Sequence, residues 1–108
     1  MSTKAPLDLI PLKALFGTAR VLASGSAKSG RTYGDWIKLP LDETFVGKLL
    51  RHLADTQTLG GVCTVESLAT ADADSGMPAI DHLLANLIIV RAMMIRDGLL
   101  PADPGSNQ

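Results

Sequence analysis

The stretch from Pro78 to Arg96 constrains the fold more than any other part of the chain. Ile80, Leu83, Leu84, Leu87, Ile88, Met94 and Ile95 recur three and four positions apart, the spacing of a helical face, and a proline opens the stretch where its missing N–H costs nothing. Gly98 follows as a stop signal. Between Leu83 and Ile95 the apolar residues spread over nearly two faces, so this helix cannot lie on a surface with one side wet. It is either the central helix of a bundle or part of an interface between copies of the chain.

Two further helices are predicted to accompany it. Residues 11–24 begin with Pro11 and place Leu12, Leu15, Phe16, Ala19 and Leu22 on one stripe, and residues 43–57 carry Phe45, Val46, Leu49, Leu50 and Leu53 behind a cap from Asp42 or Thr44. The expected class is therefore all-α: a compact bundle of three main helices at about 11–24, 43–57 and 78–96, with long ordered loops. From Gly25 to about Pro40 three glycines mix with Ser, Lys, Arg and aromatic residues, which predicts an irregular loop. Connections beyond about 12–15 residues are usually functional or disordered, and Tyr33 and Trp36 argue that this one folds back onto something. Residues 58–77 show no sustained period and read as loop with one short helical turn near Val65 to Ala69. A single domain over 1–98 and a flexible Pro/Gly/Ser-rich tail over 99–108 complete the expected organisation.

Composition narrows the function classes. With 108 residues the chain can support one core and not two. Ten Lys+Arg against eleven Asp+Glu give a net charge of −1, and 46% of the residues are hydrophobic, which excludes a strongly basic nucleic-acid coat and an acidic disordered tail. One cysteine, Cys63, and two histidines are too few for an internal disulfide or a structural zinc cluster. No apolar run reaches the ~20 residues of a bilayer span, so membrane insertion is not expected, and a cytoplasmic setting is. The charge is unevenly placed: residues 1–60 carry eight Lys/Arg and five Asp/Glu, residues 61–108 two and six. The halves complement each other, either by packing together or against a second copy, or as a basic phosphate-facing segment opposite an acidic segment that holds a cation.

Three clusters could carry chemistry. Gly25, Lys28, Gly30 and Arg31 form a basic Gly-rich strip in which backbone N–H groups and cations could meet phosphate, but the G-x-x-x-x-G-K-S/T order is absent and a solvated turn is the plain alternative. Tyr33 and Trp36 could stack a base or simply cap the core. Arg51 and His52 lie on the middle helix, where such a pair is usually surface dressing. Asp72, Asp74, Asp81 and His82 could ligate Mg²⁺ through oxygen and ring nitrogen, with Asn86 one turn beyond His82; the alternatives are an acidic helix start and a buried His–Asn hydrogen bond.

The order of these pieces adds a resemblance. Leu7-Asp8-Leu9-Ile10-Pro11, Ala14-Leu15, Gly25-x-x-Lys28-x-Gly30 with Trp36, Leu50-Arg51-His52-Leu53, Asp74-Ser75-Gly76-x-Pro78, then His82 and Asn86 together resemble small, mostly phage-encoded proteins known as dATP/dGTP diphosphohydrolase N-terminal-like domains. The resemblance spans about residues 4–96 and implies a compact helical protein that binds purine deoxynucleoside triphosphates. It carries Lys28, Gly30, Trp36, Arg51, His52, Asp74, Ser75, Gly76, His82 and Asn86 over as family positions. Two departures stand out: Ser29 where the family usually has tyrosine, and Ala79 where it usually has histidine.

Three functions follow as expectations. The first is a Mg²⁺-dependent dNTP pyrophosphohydrolase with Asp74, His82 and His52 as catalytic residues and Lys28, Gly30, Arg31, Tyr33, Trp36, Arg51 and Asn86 holding the nucleotide. The second keeps the pocket without turnover, as a homo-oligomer that sequesters a nucleotide. It is favoured by the carboxylates being nine Asp and only two Glu, whereas helical pyrophosphohydrolases gather paired Glu around several Mg²⁺ ions. The third is a structural protein or one that captures a host protein through the last helix, with Met93 and Met94 as adaptable contacts.

Overall fold

A computed structural model of the chain describes residues 5–29, 35–73 and 75–103, with the side chains of 26–29, 35 and 36 outside that description. The described residues form four α-helices: α1 (Phe16–Ser29), α2 (Glu43–Asp55), α3 (Val65–Ala69) and α4 (Ala79–Arg96). Short 3₁₀ turns at Leu7–Leu9, Leu12–Leu15 and Asp35–Lys38 join them. Three helices are long and pack against one another, so the all-α class holds.

The first helix differs from its sequence-based bounds. Pro11 does open a helical segment, but as a 3₁₀ turn that becomes α-helical only at Phe16. The helix then continues through Gly25 to Ser29, where the glycine content predicted a loop. The reason is energetic: one glycine inside a helix costs only about 1 kcal/mol, and Ala27 and Lys28 after it are good helix formers. Nothing lies within 4 Å of the position a Gly25 Cβ would take, so no packing requires glycine there.

α2 starts as its sequence predicts. Asp42 is extended and its carboxylate accepts the Thr44 N–H at 2.9 Å, while Glu43 sits in the favourable first turn. At its end the Thr56 hydroxyl donates to the Leu53 carbonyl at 2.7 Å, which lets a polar side chain be buried without loss. A tight loop with Gly61 at φ +82° leads to α3, where Thr64 and Ser67 cap each other reciprocally. α4 closes at Gly98, whose φ of +78° turns the chain so that the Leu99 N–H reaches the Met94 carbonyl at 2.8 Å.

α4 is the hub of the fold. α1, α2, α3 and the Asp35–Lys38 turn all pack on it, and among the described residues no other pair of α-helices packs to a comparable extent. Its residues Leu83, Ala85 and Met93 are the buried apolar side chains among those described. Against α1 the approach is close enough that a Cβ on Gly17 would overlap the Asp81 carboxylate, which would have to move aside to admit one. One turn of backbone is also strapped to the far end: Arg96 donates to the carbonyls of Ile37 at 3.1 Å and Leu39 at 2.5 Å while pairing with Asp97 at 2.8 Å. No helix among the described residues is long and apolar enough to cross a membrane.

Candidate functional site

The polar residues that meet do so where α2 passes the start of α4. His52 is one turn from the end of α2 and His82 lies in the first turns of α4. Their rings stack, with centroids 5.1 Å apart and planes inclined by 13°. The two histidines of the chain, thirty residues apart in sequence, thus form one pair.

A short closed loop supplies the third member. The Asp72 N–H reaches the Met77 carbonyl at 2.7 Å and the Gly76 N–H the Asp72 carbonyl at 2.8 Å, and Gly76 at φ +73° makes the reversal possible. Inside it the Asp72 carboxylate accepts the Ser75 N–H at 3.0 Å, an Asx-type bond that fixes Ser75. Ser75 Oγ accepts the Met77 N–H at 3.1 Å and lies 2.6 Å from His82 Nε2. That hydroxyl can give its proton to an unprotonated ring nitrogen or accept one from a protonated ring.

The electrostatics follow from burial and charge. The pKa of His52 is held below its ordinary value, first because burial disfavours the imidazolium and then because His82 and Lys48 stand nearby; Asp72 and Asp55 oppose this. The site therefore pairs a ring whose neutral form is favoured with a neighbouring ring bonded to a hydroxyl, with Lys48, Asp72 and Asp55 near enough to be felt. An arrangement of this kind can accept or donate protons and hydrogen bonds towards an anionic ligand.

The remaining sequence-predicted residues are distributed as follows. Asn86 donates to the His82 main-chain carbonyl at 2.8 Å, one turn back along its own helix. Arg51 is exposed on α2, with its guanidinium 3.5 Å from the position of a Gly47 Cβ, folded back along the helix. Asp72 is at the histidine cluster, whereas the Asp81 carboxylate is turned onto Gly17 of α1. Gly30, Arg31, Tyr33 and Asp74 lie outside the described residues, as do the side chains of Lys28 and Trp36. Among the described residues no group of three or more His, Cys, Asp or Glu side chains is placed to hold a metal ion.

Lys48, Asp55 and Met77 join the cluster without having been singled out in the sequence. Lys48 was readable, since it stands four positions before His52 and so shares its face. Asp55 stands three positions after it and follows the same rule.

Comparison with known proteins gives one family. The model described as dATP/dGTP diphosphohydrolase, N-terminal, matches residues 1–101. No curated protein and no solved structure gives a significant match.

Proposed function

Because the chain belongs to the dATP/dGTP diphosphohydrolase N-terminal family, we propose that it binds a purine deoxynucleoside triphosphate at the His52–His82 cluster. The observation that carries the reading is the convergence of His52, His82, Ser75 and Asp72 from three separate segments onto one rim of the α2–α4 seam. Convergence of this sort is hard to explain as helix dressing, because each of these side chains is half-buried and three of them, Asp72, Ser75 and His82, are held by hydrogen bonds. Lys48 and Arg51, on the exposed side of α2, would supply positive charge for phosphate, and Lys28, near the end of α1, and Arg31 beyond it would extend that role. Tyr33 or Trp36 would stack the base.

Mg²⁺ enters this reading as the counter-ion that a triphosphate carries. Among the described residues no three His, Cys, Asp or Glu side chains gather around a common point, so hydrolysis would depend on what Asp74 adds to Asp72 and His82.

Thermal stabilisation by a nucleotide series, with and without Mg²⁺, is the direct test. We expect dATP and dGTP to raise Tm, dCTP and dTTP to do so less, and His82→Ala and His52→Ala each to abolish the shift. At a ligand concentration 100-fold above Kd the stabilisation is about 2.7 kcal/mol, easily read in a melting curve. Recovery of intact nucleotide supports the binding function; release of pyrophosphate that Asp74→Asn removes supports the hydrolase. Absence of a shift with every nucleotide overturns both.

A further inference from the structure

Ser75 has the setting of a nucleophile. It sits half-buried in the loop that precedes α4, and two bonds fix it: its own N–H reaches the Asp72 carboxylate at 3.0 Å, and its Oγ accepts the Met77 N–H at 3.1 Å. An amide can only donate, so the second bond occupies a lone pair of Oγ and leaves the hydroxyl proton for His82 Nε2, 2.6 Å away, whenever that ring is neutral. This is the reach at which a ring nitrogen removes the proton of an attacking hydroxyl. Such a base also needs its ring held in place. His52 holds it by stacking on the His82 face, with centroids 5.1 Å apart and planes 13° from parallel, which leaves the ring edge to Ser75.

We propose that Ser75 is a nucleophile towards the α-phosphorus of the bound nucleotide, with His82 as its general base, a step that rests on nucleotide binding at this cluster. The bond from Oγ to the α-phosphorus forms, the bond from that phosphorus to the oxygen bridging it to the β-phosphate breaks, the Oγ proton passes to His82 Nε2, and pyrophosphate leaves. The product is a nucleoside monophosphate esterified to Ser75. Water then releases it: once the ring has given its first proton to solvent, it takes one from the attacking water and returns it to Oγ as the P–Oγ bond breaks. The loop suits phosphorus better than a carbonyl carbon. Acyl transfer needs main-chain donors for its oxyanion, and the N–H groups of Ser75, Gly76 and Met77 are all engaged inside the loop. A phosphate ester needs positive charge on its outer oxygens instead, and Lys48, one turn before His52 on α2, is near enough for its charge to be felt there.

The test is a rapid acid quench of the full chain mixed with Mg²⁺ and dGTP radiolabelled at the α-phosphate. Label is expected on the precipitated protein, at Ser75 by peptide mapping, together with a burst of pyrophosphate that matches the protein present. Ser75→Ala is expected to lose the label. His82→Gln is the sharper variant, because its side-chain carbonyl can still accept the Ser75 hydroxyl bond and keep the loop in place but cannot take the proton. It is expected to slow labelling about 100-fold or more at saturating dGTP, a condition under which weaker binding is not read as slower chemistry. The wild-type melting curve with dGTP separates the two readings. A raised Tm with no label on Ser75, label that maps to another residue, or labelling that His82→Gln does not slow overturns the inference and leaves nucleotide binding standing; no change in Tm and no label overturns both.

Discussion

The two long sides of α4 meet their partners very differently. Towards α1 the approach is so close that Gly17 has no room for a Cβ beside Asp81, and Thr18, next along α1, is buried. Towards α2 the helices touch along one edge and splay apart along the other, leaving Leu50, Leu53, Ile80 and Leu87 around an open groove. Both sides are apolar in sequence. What differs is the partner: α1 offers a small residue at the crossing and α2 offers large ones. Apolar patterning says that a face will be covered, whereas side-chain size at the crossing decides whether the covering is close enough to finish the job within one chain.

The largest expected effect is at the buried core of α4. Met93 is wholly buried, and Met93→Ala should lower stability by about 2–5 kcal/mol through the cavity it leaves. The equivalent truncation on the open side, Leu87→Ala, should cost far less, since Leu87 is half exposed at the groove; chemical denaturation of both measures the contrast directly. Next, Gly17→Ala should cost about 1–3 kcal/mol by forcing a methyl group against the Asp81 carboxylate. Pairing it with Asp81→Ala in a double-mutant cycle should recover much of that loss, and additive costs would show that the two helices do not meet as described. A smaller gain is expected from Thr18→Val. Among the described residues the buried Thr18 hydroxyl has no hydrogen-bond partner, so an apolar isostere should stabilise the protein by about 1 kcal/mol, seen as a higher Tm.

The smallest effect concerns pH and sharpens the comparison at the polar rim. Since folding depresses the His52 pKa below its unfolded value, the unfolded chain binds more protons in the window just below pH 6.5. Its contribution to stability is complete above that value and is lost as pH falls through the folded pKa. Melting curves should therefore show Tm falling between pH 7.5 and pH 5.5, and His52→Gln should flatten that slope. An unchanged slope would separate His52 from the acid sensitivity.

Much of this was legible in the residues and some was not. The Asp42 cap, the Phe45–Leu53 stripe and the whole of α4 follow from local spacing, because those signals are repeated several times within one helix. A short helical turn near Val65–Ala69 was expected inside an otherwise aperiodic stretch, and the reciprocal cap of Thr64 and Ser67 that fixes it is seen only in the structure. α1 was misjudged at both ends: Pro11 opens a 3₁₀ turn before the α-helix begins, and the good helix formers after Gly25 carry the helix past it. At the site, the sequence named His52 and His82 but could not show that they stack, since their contact depends on how α2 crosses α4. It grouped Asp81 with Asp72, yet Asp81 stands on the side of α4 that faces α1, a consequence of Gly17 that only three dimensions reveal.

One feature of the architecture bears on how the protein is made. α4 is the element on which every other helix packs, and it is the last of them in the chain. From the end of α2 at Asp55 to the end of α4 at Arg96 the ribosome must add 41 residues, which takes about 2–8 s at ordinary elongation rates. For that interval α1 and α2 have emerged or are emerging with their apolar stripes and no surface to close on. Nascent chains of this protein should thus be customers for chaperones that shield short amphipathic helices, and slowing translation between codons 56 and 96 should lengthen that dependence more than slowing it anywhere upstream.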